Sequence, residues 1–136
     1  MINTDFLIVT YIVGLFADWV FQSDWQAVNK SKWSKNDDKV LSAIALISHS
    51  IQYAIITAAV VTIIIPLSNK NAITMFFVLF ISHVIIDTRI PVICIMKLKG
   101  MSDDQINDTA NFGFMRIGID HRLHELVILI LAIIFK

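Results

Sequence analysis

The chain has 136 residues, of which 57% are hydrophobic and only 16% are charged, and its mean hydropathy is +0.73. Soluble domains carry roughly 25% charged residues, so this composition indicates an integral membrane protein rather than a soluble or disordered one. Basic and acidic residues number 11 each, which leaves no basic surface for nucleic acid, and the single cysteine excludes a disulfide scaffold.

Four apolar segments are long enough to cross the hydrocarbon core of a bilayer, which takes about 20 helical residues. They cover residues 4–22, 40–66, 71–90 and 112–135. Backbone groups inside a bilayer must pair within their own segment, and the segments lack the strict alternation of barrel strands. We therefore predict an all-α fold, in which residues 1–136 form a single transmembrane domain. Its architecture is an integral membrane four-helix bundle with the N- and C-termini on the same side, in contact with membrane lipids.

The distribution of positive charge predicts the orientation of this bundle. Lysines and arginines are concentrated in the first and third connections, whereas the other side has only two. The first group comprises Lys30, Lys32, Lys35, Lys39, Lys97, Lys99 and Arg116, and the second comprises Lys70 and Lys136. The positive-inside rule places loops one and three in the cytosol and both termini outside. Trp19, Trp25 and Trp33 lie on the cytosolic side, as is typical of an interfacial aromatic belt.

All four histidines and several charged side chains lie within the predicted spans. A charged group at the centre of a span costs roughly 2.5–3.5 kcal/mol on insertion scales. These groups therefore need one another, or a bound cation, as partners. They are His49, His83, His121, His124, Asp18, Asp87, Arg89, Asp120, Arg122 and Glu125.

The spacing of these groups places them on common helix faces. His83 and Asp87 are four residues apart, so both side chains leave the same face of the third helix. Asp120 and His124 repeat that spacing in the fourth helix. Counted from the cytosolic ends at ~1.5 Å per residue, the polar groups of the four helices share a similar depth. The layer that they form comprises Asp18, His49, His83, Asp87, Asp120 and His124.

Histidines and carboxylates at one depth suit a divalent metal. Imidazole and carboxylate groups both ligate zinc and other first-row ions, and zinc is the predicted cofactor. The predicted metal ligands are His49, His83, Asp87, Asp120 and His124. Two other interpretations stay open, namely interhelical hydrogen bonds and ion pairs that hold the bundle together, and a relay for protons or ions.

A metal in such a layer predicts an intramembrane metal-dependent hydrolase. The metal would lower the pKa of a bound water to about 7. Asp18, or whichever of Asp87 and Asp120 does not ligate, would act as general base. Arg89 or Arg122 would stabilise an oxyanion or a phosphate. A site just beneath the cytosolic leaflet predicts a lipid or another amphiphilic substrate.

Two other functions are also compatible with this sequence. A transporter or proton-coupled channel would pass protons or divalent ions through the polar layer, and its few spans would require a homo-oligomer. A noncatalytic phage or host envelope protein, such as a holin-like or exclusion factor, would need the spans but not the intramembrane histidines and aspartates.

These motifs also resemble a family of small bacterial and phage membrane proteins, domain of unknown function 3307. The matching residues are Gly14-Leu-Phe-Ala-Asp18-Trp-Val-Phe-Gln22-Ser-Asp24-Trp25, Asn29-Lys30, His49, Ser82-His83-Val-Ile-Ile-Asp87 and Asp120-His121-Arg-Leu-His124. The resemblance covers nearly the whole chain and implies a helical protein of the bacterial inner membrane. The family pattern often has histidine at the position of Gly14 and glutamine at that of His121. A distant similarity to membrane-bound metal-dependent hydrolases implies histidine and aspartate ligands on transmembrane helices.

Overall fold

The computed structural model describes residues 2–31 and 38–135, and these residues form seven helices and their connections, without a strand. The helices are α1 (Thr4–Trp19), α2 (Asp24–Asn29), α3 (Lys39–Ile64), α4 (Asn69–Asp87), α5 (Ile90–Leu98), α6 (Asp103–Asn107) and α7 (Thr109–Ile134). The predicted loop residues Lys32, Trp33 and Lys35 and the terminal Lys136 lie outside the described residues. The all-α prediction is confirmed for the described residues.

The four long helices pack in a closed ring. α1 packs against α3, α3 against α4, α4 against α7, and α7 against α1. At one end of the ring, the backbone N–H of Asn3 donates to the carbonyl of Ala132 at 3.0 Å, and Asn3 Nδ2 donates to the carbonyl of Phe135 at 3.0 Å. Both ends of the described chain therefore lie on the same side of the bundle.

Two of the four predicted spans correspond to helices that are long and apolar enough to cross a membrane. These are α3 and α4, by length and composition alone. α1 has 16 residues and ends at Trp19, before the predicted boundary at residue 22. α7 has 26 residues, but its apolar part is interrupted by charged side chains, among them Asp120, Arg122 and Glu125. The described residues thus contain two candidate spans within a four-helix ring.

The third predicted span is divided by a break between α4 and α5. α4 ends at Asp87, and α5 begins at Ile90 with a proline in its first turn. Proline disfavours the helical conformation of the residue before it and supplies no backbone N–H. Arg89, between the two helices, has a left-handed φ of 65°. The prediction of one helix over residues 71–90 is therefore wrong at its end, and its last residues belong to a turn and a separate helix.

The predicted polar loop after α5 contains the short helix α6. Ile106 of α6 is buried against Val92 and Met96 of α5. Asp108 then caps α7, because its carboxylate accepts the backbone N–H groups of Ala110 and Asn111 at 3.1 Å each. The Asn111 side chain also donates to this carboxylate, and these hydrogen bonds lower the pKa of Asp108. The connection is thereby anchored at the start of the helix that carries His124.

Candidate metal centre

Each of the four long helices contributes to one cluster of histidine and aspartate side chains. α1 supplies Asp18 from its last turn, α3 supplies His49, α4 supplies His83 and Asp87 one turn apart, and α7 supplies His124. The side chains of His49, His83 and Asp87 are only 1%, 0% and 1% exposed, whereas that of Asp18 is 16% exposed. The cluster therefore lies in the interior of the ring, with Asp18 on its more open side.

Four of these side chains bring their ligand-type atoms together. His49 Nε2 lies 3.0 Å from Asp18 Oδ1 and 2.9 Å from His83 Nε2. Asp87 Oδ2 lies 3.3 Å from His83 Nε2 and 3.5 Å from His49 Nε2, and His83 Nε2 lies 3.7 Å from Asp18 Oδ1. Metal–ligand bonds of about 2.0–2.1 Å in a tetrahedron separate the ligand atoms by about 3.3 Å. The His49, His83 and Asp87 atoms, which are 2.9–3.5 Å apart, are therefore spaced as three ligands of one tetrahedral zinc site would be.

His124 extends the cluster on the other side of Asp87. Its Nε2 lies 3.7 Å from Asp87 Oδ1, and its ring centroid lies 4.4 Å from that of His83. Among the described residues, two groups have ligand atoms that all lie within 4.8 Å of one another, namely Asp18, His49 and His83, and His83, Asp87 and His124. His83 belongs to both groups and is the central residue of the cluster.

A buried lysine also lies in the cluster. Lys30 is 7% exposed, and its Nζ lies 2.7 Å from Asp87 Oδ2 and 3.8 Å from Asp18 Oδ1. An ammonium group here balances the negative charge of two largely buried carboxylates, which is the charge that a divalent cation would balance. Lys30 thus lies where a divalent cation would lie, and it would compete with that cation for the carboxylates of Asp87 and Asp18.

The short helix α2 places Lys30 in the interior. Ser23 and Gln26 form a capping box at its start, and Gln26 Nε2 donates to Ser48 Oγ of α3 at 3.3 Å. Gln52 of α3 donates to the carbonyl of Phe21 at 2.7 Å, which fixes the turn between α1 and α2. In the sequence Lys30 appears as a loop charge and in the Asn29-Lys30 motif, and neither indicates that it is buried, because a helix as short as α2 shows no period that would predict an inward face.

Tyr53 supports the cluster from α3. Its ring stacks on that of His83 with a centroid distance of 4.0 Å and an interplanar angle of 24°. Gly14 of α1 packs against it so closely that a Cβ at this position would lie 3.0 Å from Tyr53 Oη. Sequence reasoning missed Tyr53, since a tyrosine in an apolar helix is not distinguishable from a packing residue.

The remaining predicted site residues lie outside the two ligand groups. Asp120 Oδ1 lies 2.6 Å from Nη1 of Arg89, so these two residues form an ion pair. Arg122 has a 78% exposed side chain and pairs with Glu125. Of the residues predicted for catalysis, Asp18 is the one that the structure brings into the cluster.

The position of Asp120 allows a test of which aspartate binds the metal. Asp120→Asn is expected to retain zinc with unchanged stoichiometry, because its carboxylate faces Arg89 rather than the cluster. Asp87→Asn is expected to lose zinc, because Asp87 contacts both His83 and His49. Metal content of the two purified variants measures the difference. Loss of zinc from Asp120→Asn but not from Asp87→Asn would show that Asp120, and not Asp87, binds the metal.

Comparison with known proteins identifies the family to which the chain belongs. The model of a family described as "Protein of unknown function (DUF3307)" matches residues 6–136. No curated protein and no solved structure matches the chain. These comparisons support the resemblance seen in the sequence motifs, and the family description names no activity.

Proposed function

We propose a function for this chain, which belongs to DUF3307, a family of proteins of unknown function. Because the family name gives no activity, the proposal is based on the chemistry of the site. The proposed function is that of an intramembrane metal-dependent hydrolase that cleaves a lipid or another amphiphile. The observation that carries it is the spacing of the buried His49, His83 and Asp87 ligand atoms, which are 2.9–3.5 Å apart.

A location in the bacterial inner membrane is part of the proposal. Soluble monomers rarely expose large contiguous apolar surfaces, yet isoleucines that are about half exposed cover the outer faces of all four long helices. Examples are Ile8, Ile12, Ile44, Ile55, Ile73, Ile81, Ile85 and Ile130. In the proposed arrangement α1, α3, α4 and α7 all cross the bilayer, with the metal centre near the cytosolic leaflet and both termini outside. This surface supports lipid contact around the whole ring.

In the proposed mechanism His49, His83 and Asp87 hold the divalent ion, with zinc as the expected metal. Such an ion supplies Lewis-acid polarisation and lowers the pKa of a water molecule to about 7. Catalytic zinc sites use three protein ligands and leave the fourth position for water or substrate. Asp18 lies beside these three residues, with its Oδ1 3.0 Å from His49 Nε2, on the open side of the cluster from which such a water molecule would enter.

Asp18 then has the role of general base. Its carboxylate lines a cleft between α1 and α7, where it can accept a proton from an incoming water molecule. His124 lines the same cleft beside Asp87 and is placed to donate a proton to the leaving group. Tyr53 orients His83 by stacking on its ring. These residues together supply the proton transfers that ester or phosphoester hydrolysis needs.

The shape of the polar layer favours hydrolysis over transport. A transporter needs polar groups along a path through the whole bilayer. Among the described residues, the core between the cluster and the two chain ends is filled by Phe6, Met75, Leu79 and Leu131, and it contains no buried carboxylate or imidazole. On that side of the bundle the buried ionisable groups that the structure describes end at the cluster, so they do not continue as a path towards the two chain ends.

Substitution of the proposed base tests the mechanism. Asp18→Asn is expected to retain zinc and to lose at least about 100-fold in turnover, since general base catalysis contributes 10²–10⁴-fold. The assay uses zinc-loaded protein in liposomes with a panel of lipid esters and phosphoesters. Asp5→Asn, an exposed carboxylate near the other end of α1, is the matched control and should leave turnover unchanged. Wild-type turnover in Asp18→Asn would contradict this mechanism, and so would loss of the metal.

A further inference from the structure

A cleft leads from the outer surface of the bundle to the metal centre. It lies between α1 and α7 and is narrow, with a volume of about 20 Å³, which has room for one water molecule. Asp18, Tyr53 and His124 line its inner end, and Leu15 lines its wall. Gly14 also lines the cleft, and its lack of a side chain keeps the space beside Tyr53 open. The catalytic side of the cluster is thus reached sideways, through the wall of the helix ring.

The cleft continues into an apolar groove along the same two helices. Tyr11, Glu125 and Ile128 line both spaces, and the groove adds apolar side chains, including Leu7 and Leu129. Its volume is about 400 Å³. The combined surface is polar where it meets the metal centre and mostly apolar along its length, apart from the Arg122–Glu125 ion pair, which matches the polarity of an amphiphile.

The two helices that frame this opening are tied together at both ends. At one end Asn3 hydrogen-bonds to Ala132, and the rings of Phe6 and Phe135 meet edge to face at 5.4 Å. At the other end Trp19 Nε1 lies 3.1 Å from His121 Nε2, and their rings are also in edge contact. The opening is therefore closed at both ends, and a groove of about 400 Å³ between them has room for one acyl chain rather than two.

We infer that the cleft between α1 and α7 is a lateral access route for a single-chain amphiphile. Its acyl chain would lie along Leu7, Ile128 and Leu129, and its ester or phosphoester bond would lie at the mouth of the narrow cleft, facing Asp18 and His124. This inference rests on the proposed hydrolase function, whose substrate class and route it specifies. A substrate that arrives from the bilayer does not need an opening to the aqueous phase.

Photolabelling of the full chain in nanodiscs tests the route independently of turnover. The probe is palmitoyl-lysophosphatidylcholine with a diazirine on its acyl chain, and labelled peptides are mapped by mass spectrometry with and without excess unlabelled lipid. Competable labelling is expected on the α1 and α7 residues that line the groove. Leu15→Trp, which fills the cleft from a side chain that is 37% exposed, is expected to lose this labelling.

Two matched variants complete the design. Leu15→Ala leaves the cleft open and should retain the labelling, and Ile81→Trp adds the same bulky side chain to an outward, 53% exposed position of α4 and should also retain it. Labelling that is spread evenly over all outward faces and resists competition would overturn the inference. Competable groove labelling without any ester or phosphoester turnover would support the route while the hydrolase proposal fails. Turnover without competable labelling would overturn the route alone.

Discussion

His83→Ala is expected to abolish zinc binding, with a loss in affinity of more than about 100-fold. Loss of a group that only supports a ligand costs about 10–100-fold, and His83 is itself the one imidazole that belongs to both ligand groups. Its ring also contacts His49, Tyr53 and His124. Zinc titration of the purified protein, followed by the zinc-dependent rise in thermal midpoint, measures the effect.

His121→Ala is the matched control for this experiment. His121 lies in the same helix as His124, but its Nε2 faces Trp19 on the exposed side of the bundle. The variant should therefore bind zinc with wild-type affinity. Equal loss of zinc from both variants would mean that the effect comes from the fold of α7 or from surface binding, and wild-type affinity in His83→Ala would exclude the proposed centre.

Lys30→Met is expected to destabilise the metal-free protein by roughly 3–5 kcal/mol, the cost of removing one partner from a buried ion pair. Asp87 is 1% exposed and would lose the ammonium that lies 2.7 Å from its carboxylate. Zinc should restore the stability of this variant, because the divalent ion supplies the missing positive charge. The same substitution should tighten zinc binding, since it removes the competing cation. Thermal unfolding with and without zinc measures both effects.

Lys97→Met is the matched control, because Lys97 is a solvent-exposed lysine. Lys97 has a 55% exposed side chain and pairs with Asp103 at 3.1 Å, so its removal should change stability by about 1 kcal/mol or less. This change should not depend on zinc. If Lys30→Met loses the same stability in the presence of zinc as in its absence, Lys30 is a structural partner of Asp87 and not a substitute for a metal.

Much of the helical architecture follows from apolar segment length and from local signals. The long segment that became α3 is bounded by the Asp38 cap and by Pro66, and its predicted limits differ from the observed ones by a few residues. The break at Arg89 was available in principle from Pro91, but hydropathy alone runs smoothly across it. The exact ends of helices depend on capping residues and turns, and a hydropathy profile does not detect these.

The candidate site was predictable where the ligands share a helix. The four-residue spacing of His83 and Asp87 fixes their common face without any tertiary information. Asp120 and His124 have the same spacing, yet Asp120 meets Arg89 instead, because the partner that a carboxylate finds depends on how the neighbouring helices are rotated. Lys30 was beyond prediction for a related reason, since its burial depends on how α2 folds back onto α3.

The central claim is that this cluster binds a divalent metal, and metal content tests it most directly. Elemental mass spectrometry of the detergent-purified chain should find about one zinc or other first-row ion per chain, in line with a single tetrahedral site. The doubly substituted His83→Ala/His124→Ala protein should contain none. A well-folded wild-type protein that holds no metal, even after incubation with zinc, manganese and nickel, would contradict the account.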